Sequence, residues 1–122
     1  MVVEDNRDHR TLVGMMLKGV GIQDVVFAED GAKAWELFEN AAVPFDLVIS
    51  DLTMPGMTGI ELLNKVRSAA VGRGVPFIMI TASGLLDHVI DAKTGGVTKY
   101  IFKPFTADKL VKEVRACLEE NA

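Results

Sequence analysis

The sequence predicts an α/β fold in which a doubly wound sheet of five parallel strands is covered by helices on both faces. Short apolar runs recur five times along the 122 residues, and each is followed by a helical pattern. The runs are almost continuously apolar, which is typical of parallel strands buried on both faces. The β-α unit therefore repeats five times, and we expect a single domain over residues 1–122.

The first β-α unit is short. Residues 1–3 predict a strand, and Asn6 is a suitable N-cap for a helix over about 7–18. The i, i+3, i+4, i+7 spacing places four residues on one face of that helix: Leu12, Met15, Met16 and Gly19. We expect Met15 and Met16 to lie in the core, together with Met79.

The next two units lead to the most informative stretch of the chain. Residues 25–28 predict a strand, and the helix after Asp30 ends before Pro44. The third strand begins near Phe45 and stops at Asp51, where the chain turns through Pro, Gly and Thr residues before a helix begins at about Gly59.

The last two units follow the same pattern. Residues 77–81 predict a strand ending in Thr81, and a short helix runs to about residue 94. Residues 100–102 predict the last strand, and Thr106 is expected to cap the last helix. The spacing predicts the inward face of that helix: Leu110, Val111, Val114, Cys117 and Leu118.

Composition excludes several classes of function. The net charge is −4 without a Lys/Arg run, which argues against direct nucleic-acid binding. No apolar run approaches the roughly 20 residues needed to span a bilayer, so no membrane association is expected. The first residues do not resemble a signal peptide, and a single cysteine fits a reducing compartment. We therefore expect a cytoplasmic protein.

Charged and hydroxyl side chains stand at the carboxyl ends of four predicted strands: Glu4 and Asp5, Asp51, Thr81 and Lys103. A parallel sheet brings these ends to one edge. Two carboxylates about 4 Å apart repel by roughly 4 kcal/mol at an effective dielectric of 20, and a bound Mg²⁺ would compensate this charge because it prefers carboxylates, waters and a phosphate oxygen. The pattern predicts a phosphoryl site at Asp51, with Lys103 and Thr81 contacting phosphate oxygens.

The chain resembles the response-regulator receiver domains, the CheY-like family, along essentially its whole length. Four segments carry the resemblance: Val2-Val3-Glu4-Asp5-Asn6, residues 49–59, Ile80-Thr81-Ala82 and residues 100–105. The resemblance implies the strand order 2-1-3-4-5, the order known for flavodoxin and CheY. The first strand is shorter than is usual in that family.

The resemblance implies a role for each of these site residues. Asp51 would accept the phosphoryl group. Glu4, Asp5, Asp51 and the backbone carbonyl of Thr53 would hold Mg²⁺ or Mn²⁺. Lys103 would pair with Asp51 before phosphorylation and with the phosphoryl group after it.

The resemblance also implies a conformational switch. Thr81 would bond the phosphoryl group, and Tyr100 would change rotamer when Thr81 moves. This would repack the face built from the fourth helix, the last strand and the last helix. The Lys103-Pro104 peptide bond would be cis.

Two positions tune the lifetime of the phosphoryl group in the family: Thr53, two residues after the acceptor, and Ser83, two residues after Thr81. Neither offers a carboxylate or an amide to orient an attacking water. We therefore predict slow self-dephosphorylation.

The predicted function is a signalling switch of a two-component or phosphorelay system such as chemotaxis, and not an enzyme acting on external substrates. A histidine kinase or histidine phosphotransfer protein would donate the phosphoryl group, and a downstream protein would dock on the switched face. The domain would act alone or as part of a larger regulator.

Two alternatives differ in class. A haloacid-dehalogenase-like phosphatase would carry a second Asp where Thr53 stands. A flavodoxin-like cofactor binder would have a Ser-, Thr- and Gly-rich phosphate loop after the first strand, whereas Glu4-Asp5-Asn6 would repel a phosphate.

Three further residues receive purely structural interpretations. We expect Trp35 to be a partly exposed packing residue, His9 to lie in solvent, and Cys117 to be a small core residue.

Overall fold

A computed structural model describes residues 1–82 and 85–120. Its elements, in chain order, are β1 (Val2–Val3), α1 (Arg7–Lys18), β2 (Phe27–Ala28), α2 (Gly31–Glu39), β3 (Val48–Asp51), α3 (Gly59–Ser68), a 3₁₀ turn (Ala70–Gly72), β4 (Phe77–Thr81), α4 (Leu86–Thr94), β5 (Lys99–Phe102) and α5 (Ala107–Glu120). Within these described ranges, none of the helices is both long enough and apolar enough to cross a bilayer.

The five strands form one parallel sheet in the order β2-β1-β3-β4-β5. The register places Val3 beside Ser50 and Asp51 beside Ile80, and it places Thr81 beside Phe102. The predicted doubly wound fold and its strand order are confirmed. All carboxyl ends of the strands consequently meet at one edge of the sheet.

Alternation along β4 divides the core into two layers. Phe77 and Met79 point to the face covered by α2 and α3, whereas Ile78 and Ile80 point to the face covered by α1 and α5. All four side chains are buried. The sheet is therefore buried on both faces, which explains why its strands read as continuous apolar runs.

The face of α1 that packs on the sheet differs from the predicted one. Val13 and Leu17 are buried in the core, whereas Leu12 is 50% exposed and Met15 is 65% exposed. The prediction that Met15 lies in the core is wrong, and Met16 is only partly buried. Five of the six residues from 12 to 17 are apolar, so spacing alone did not identify the buried face.

Side-chain caps hold the first turns of three helices that border the sheet edge, and two of these caps, Asn6 and Thr106, were predicted. The Asn6 side chain accepts a hydrogen bond of 3.0 Å from the backbone N–H of His9, and the Thr106 hydroxyl accepts one of 3.1 Å from that of Lys109. Thr58 and Glu61 form a reciprocal capping box at the start of α3. These bonds fix where α1, α3 and α5 begin, next to the carboxyl ends of the strands.

Several elements are slightly shorter or more exposed than predicted. The second strand covers Phe27–Ala28 instead of 25–28. On α5, Cys117 is buried as expected, as are Leu110 and Val114, whereas the predicted inward residues Val111 and Leu118 are half-buried. β1 has only two residues, yet both are buried and paired with neighbouring strands on each side.

Candidate functional site

Three carboxylates meet at the carboxyl edge of the sheet. Glu4 and Asp5 follow β1 directly, and Asp51 ends the neighbouring β3. One carboxylate oxygen from each residue lies within 4.8 Å of the other two. Glu4 and Asp51 are buried, at 5% and 8% exposure, whereas Asp5 is exposed. Negative charge is therefore concentrated at this edge, on two buried carboxylates and one exposed carboxylate.

Lys103 supplies the compensating cation. It follows β5, and its ammonium nitrogen lies 3.3 Å from Glu4 Oε2 and 3.4 Å from Asp51 Oδ2. The peptide bond between Lys103 and Pro104 is cis. The ammonium group thus stands between two buried carboxylates and neutralises part of their charge.

The electrostatic environment of Glu4 is unfavourable to its charged form. Burial raises the pKa of Glu4 above its ordinary value, and the nearby Asp51 charge raises it further. A hydrogen bond of 3.2 Å from the Asn6 backbone N–H to Glu4 Oε1 opposes this change, as does Lys103. The net effect is a raised pKa for Glu4. Additional positive charge nearby would therefore stabilise the ionised form of this carboxyl group.

The donor set matches the chemistry of a hard divalent cation. All three side chains at the edge offer carboxylate oxygens, which are the ligands that Mg²⁺ and Mn²⁺ prefer. Asp5 is open to solvent, which leaves room for the water ligands that Mg²⁺ usually retains. The residues present therefore fit a cation of this type.

Thr81 and Tyr100 link the carboxyl end of β4 to β5, the outermost strand on that side of the sheet. Thr81 ends β4 and is almost completely buried, and its side chain is hydrogen-bonded to that of Tyr100 on β5. Burial raises the pKa of the Tyr100 hydroxyl, and the bond to Thr81 opposes that rise. The Tyr100 ring is tilted against Phe102, with 5.1 Å between centroids.

The two predicted lifetime-tuning residues differ in what the structure describes. Thr53 lies on the loop two residues after Asp51 and is exposed. That loop returns to α3 through a hydrogen bond of 2.8 Å from the Gly59 backbone N–H to the Leu52 carbonyl. Ser83 lies outside the described residues.

Two residues at the site were not predicted from the sequence. His9 is exposed, as expected, and its ring Nδ1 lies 3.5 Å from the Lys103 ammonium nitrogen and 3.9 Å from Glu4 Oε1. Arg10 donates a hydrogen bond of 2.8 Å to the Glu4 backbone carbonyl. Both lie in the first turns of a helix that begins immediately after a strand end, and that position was the available signal for them.

The fold and the carboxylate-lined edge are those of a two-component signalling domain, and the chain belongs to the response regulator receiver domain family. The model of that family matches residues 1–115. The chain is similar to chemotaxis protein CheY1 of Helicobacter pylori, with 38% identity over 121 residues that cover 99% of this chain and 97% of the relative. It is 34% identical to CheY of Pseudomonas aeruginosa over 119 residues, which cover 98% and 94% of the two chains.

Solved structures agree with this assignment. The crystal structure of CheY4 of Vibrio cholerae has a TM-score of 0.87 at 32% identity and covers 96% of this chain and 95% of its own. A CheY-like receiver domain protein of Methanospirillum hungatei has a TM-score of 0.89 at 26% identity, with coverages of 98% and 91%.

Family membership decides between the classes considered from the sequence. This protein is a CheY-like signalling domain, and neither the phosphatase nor the flavodoxin-like alternative is favoured. Membership also implies the general class of partner, which is a kinase or phosphotransfer protein of two-component signalling.

Proposed function

We propose that residues 1–122 form one phosphoacceptor domain in which Asp51 receives a phosphoryl group and the switched face docks a downstream protein. The observation that carries this proposal is the position of Asp51. It is buried at a strand end, 3.4 Å from the Lys103 ammonium nitrogen and within 4.8 Å of the Glu4 and Asp5 carboxylates.

The transfer itself needs only a nucleophile and positive charge. An Asp51 oxygen attacks phosphorus in line, and the phosphohistidine P–N bond of the donor breaks with its electron pair left on the imidazole nitrogen. The transition state is loose and its charge is spread over three equatorial oxygens. Catalysis then consists mainly of positioning these oxygens against positive groups.

Glu4, Asp5, Asp51 and the Thr53 backbone carbonyl would hold Mg²⁺ at the site. When bound, Mg²⁺ supplies positive charge next to the phosphoryl oxygens. Lys103 would exchange the Asp51 carboxylate for a phosphoryl oxygen, which it binds as a point charge. The product is a mixed anhydride of the Asp51 side chain. Because the phosphoryl group is attached to the domain itself, the domain catalyses only its own phosphorylation and dephosphorylation.

The proposed output begins at Thr81. Its hydroxyl would move from Tyr100 toward a phosphoryl oxygen, because hydrogen bonds to charged groups are stronger than neutral ones. Tyr100 would then repack, and the face formed by α4, β5 and α5 would change shape. The donor would be a histidine kinase or a histidine phosphotransfer protein.

The direct test is incubation with Mg²⁺ and acetyl phosphate, followed by intact-mass measurement. The wild type is expected to gain the mass of one phosphoryl group, and Asp51→Asn is expected to gain none. Asp46→Asn is the matched control, because Asp46 is exposed and lies before β3, at the opposite edge of the sheet.

Equal modification of wild type and Asp51→Asn would refute Asp51 as the acceptor. A wild type that gains no mass with any acyl phosphate or phosphohistidine donor would refute the proposed function as a whole.

A further inference from the structure

Among the described residues, three side chains place a polar atom within 3.5 Å of the Lys103 ammonium nitrogen, and two of them belong to the proposed phosphoryl and metal site. This nitrogen lies 3.3 Å from Glu4 Oε2, 3.4 Å from Asp51 Oδ2 and 3.5 Å from His9 Nδ1. A lysine ammonium carries three N–H donors, which matches the number of these neighbouring atoms. The three distances are long for hydrogen bonds, as is common in sites without a bound substrate.

We propose that His9 is a positioning residue for Lys103, which it keeps directed at the phosphoryl group during transfer. This inference rests on the proposed function of Asp51 and Lys103. Glu4 and Asp51 would both turn toward the metal ion when it binds, and their attraction for Lys103 would weaken. Among the described neighbours of Lys103, His9 is the one that is neither an acid nor a proposed metal ligand.

The surroundings of Lys103 show why it needs such a partner. His9 and Lys103 both line an open cavity of about 360 Å³, whose other walls include Leu12, Met16 and Phe105. The long lysine side chain therefore has room to turn away from Asp51. A misplaced catalytic group reacts more slowly, because transfer depends on accurate geometry.

The backbone of His9 is fixed beside Lys103, and its side chain is 53% exposed. Its backbone N–H donates to the Asn6 side chain at 3.0 Å, which fixes the first turn of α1. A neutral imidazole with its proton on Nε2 presents Nδ1 as an acceptor. The Asn6 backbone N–H and Arg10 fix Glu4 on the same turn, so α1 positions both neighbours of Lys103.

Two substitutions separate the acceptor from the bulk of the ring. His9→Leu removes the acceptor and leaves an apolar side chain of similar reach. His9→Asn retains an acceptor, because the Oδ1 atom of asparagine is as many bonds from the backbone as Nδ1 of histidine. Thr11→Leu is the matched control, since Thr11 is exposed on the same helix.

The first measurement is the rate of phosphorylation by acetyl phosphate at about pH 8, as a function of Mg²⁺ concentration. We expect the rate of His9→Leu at saturating Mg²⁺ to fall about three- to tenfold, the range of one modest hydrogen bond. The rate of His9→Asn should stay within about twofold of the wild type. The Mg²⁺ concentration for half-maximal rate should be unchanged in both, because the carboxylates remain.

The second measurement does not depend on activity. In Mg²⁺-saturated protein labelled with ¹⁵N, the Lys103 ammonium signal should be protected from solvent exchange in the wild type and in His9→Asn. It should broaden in His9→Leu.

A His9→Leu rate equal to that of the wild type would overturn the inference, as would an equal loss of rate in His9→Asn. These outcomes are distinct from failure of the proposed function, in which the wild type itself would gain no phosphoryl group.

Discussion

At the scale of single residues, Glu4 and Lys103 largely determine the charge of the site when no metal is bound. The pKa of Glu4 is raised by burial and by Asp51, so the native state binds a proton at Glu4 more tightly than the unfolded chain does. The stability contributed by this proton is present below the ordinary pKa of 4.5 and is lost as pH rises through the higher native value.

Glu4→Gln should therefore stabilise the metal-free protein. With EDTA at about pH 7, we expect its unfolding temperature to exceed that of the wild type by about 2–4 °C, the shift that less than about 1 kcal/mol gives in a domain of this size. The difference should vanish near pH 4, where Glu4 is protonated in both states. With saturating Mg²⁺ the order should reverse, because the variant has lost a charged ligand. A thermal scan at each condition measures this, and a destabilised variant in EDTA would contradict it.

Removal of the positive charge of Lys103 should have the opposite effect on the stability of the metal-free protein. Lys103→Met should destabilise the metal-free protein, because it leaves two buried carboxylates without their cation. Lys109→Met is the matched control, since that side chain is 54% exposed and pairs along α5 with Glu113. Exposed pairs of this kind contribute at most about 1 kcal/mol.

The side chain at position 53 should control how long the phosphoryl group persists. Thr53 is exposed beside Asp51 and offers no amide or carboxylate to orient water. Thr53→Asn should shorten the half-life of the phosphorylated form several-fold, because the amide can hydrogen-bond the attacking water. The decay of the phosphorylated mass after removal of the donor measures this half-life.

Thr58→Asn is the control for that decay. It introduces the same side chain where it still caps α3, because Asn is as good an N-cap as Thr. An unchanged or longer half-life in Thr53→Asn would contradict the prediction. Decay of the wild type within seconds would contradict the slow self-dephosphorylation expected from the sequence.

The residues of the site were predictable to different degrees. Glu4, Asp5, Asp51 and Lys103 could be placed together because each follows a strand, and parallel strands end at one edge. His9 could not, because its approach to Lys103 depends on how α1 is rotated on the sheet. Rotation is a property of packing, so the position of His9 just after a strand end indicated a place near the site but not this contact with Lys103.

At the scale of elements, the site depends on a close approach between β3 and the start of α3. A Cβ atom at Gly59 would overlap the Asp51 carbonyl oxygen and would lie 2.7 Å from Met79 Sδ. The Gly59 backbone N–H also donates to the Leu52 carbonyl at 2.8 Å. Glycine lets α3 begin directly against the strand that presents Asp51.

Gly59→Ala should lower the free energy of unfolding by about 1–3 kcal/mol, the range for forcing an extra methyl into a packed interior. Urea unfolding measures the loss. Gly74→Ala is the control, because a Cβ there meets no atom within 4 Å, and its effect should stay within about 0.5 kcal/mol. Equal stabilities of the two variants would refute the steric argument.

The elements themselves were largely predictable, and the largest error concerns the buried face of one helix. All five strands and five helices appear in the predicted order, because the apolar runs and caps are local signals. The buried face of α1 was wrong since residues 12–17 are apolar on almost every side. There the contacts with the sheet and with α5 select Val13 and Leu17 over Leu12 and Met15.

At the scale of the whole molecule, a short path of contacts joins Thr81 to β5, which is part of the proposed output face. Thr81 is almost completely buried at the site and hydrogen-bonded to Tyr100, and Tyr100 stacks at an angle on the exposed ring of Phe102. A two-state switch moved from 1:99 to 99:1 needs about 5.5 kcal/mol of differential stabilisation. A few charge-assisted bonds to one phosphoryl group are of that size.

Thr81→Val should therefore interrupt the conformational change between Asp51 and the proposed output face, while the phosphoryl mimic still binds at Asp51. Valine has nearly the same shape but no hydroxyl, so it neither bonds Tyr100 nor reaches for a phosphoryl oxygen. With Mg²⁺ and beryllofluoride, a phosphoryl mimic, the wild type should show amide chemical-shift changes at the site and along α4, β5 and α5. In Thr81→Val the changes should remain at Asp51 and its neighbours, whereas the exposed control Thr11→Val should behave as the wild type. Shifts of equal extent in Thr81→Val would show that the signal reaches the face by a route other than Thr81 and Tyr100.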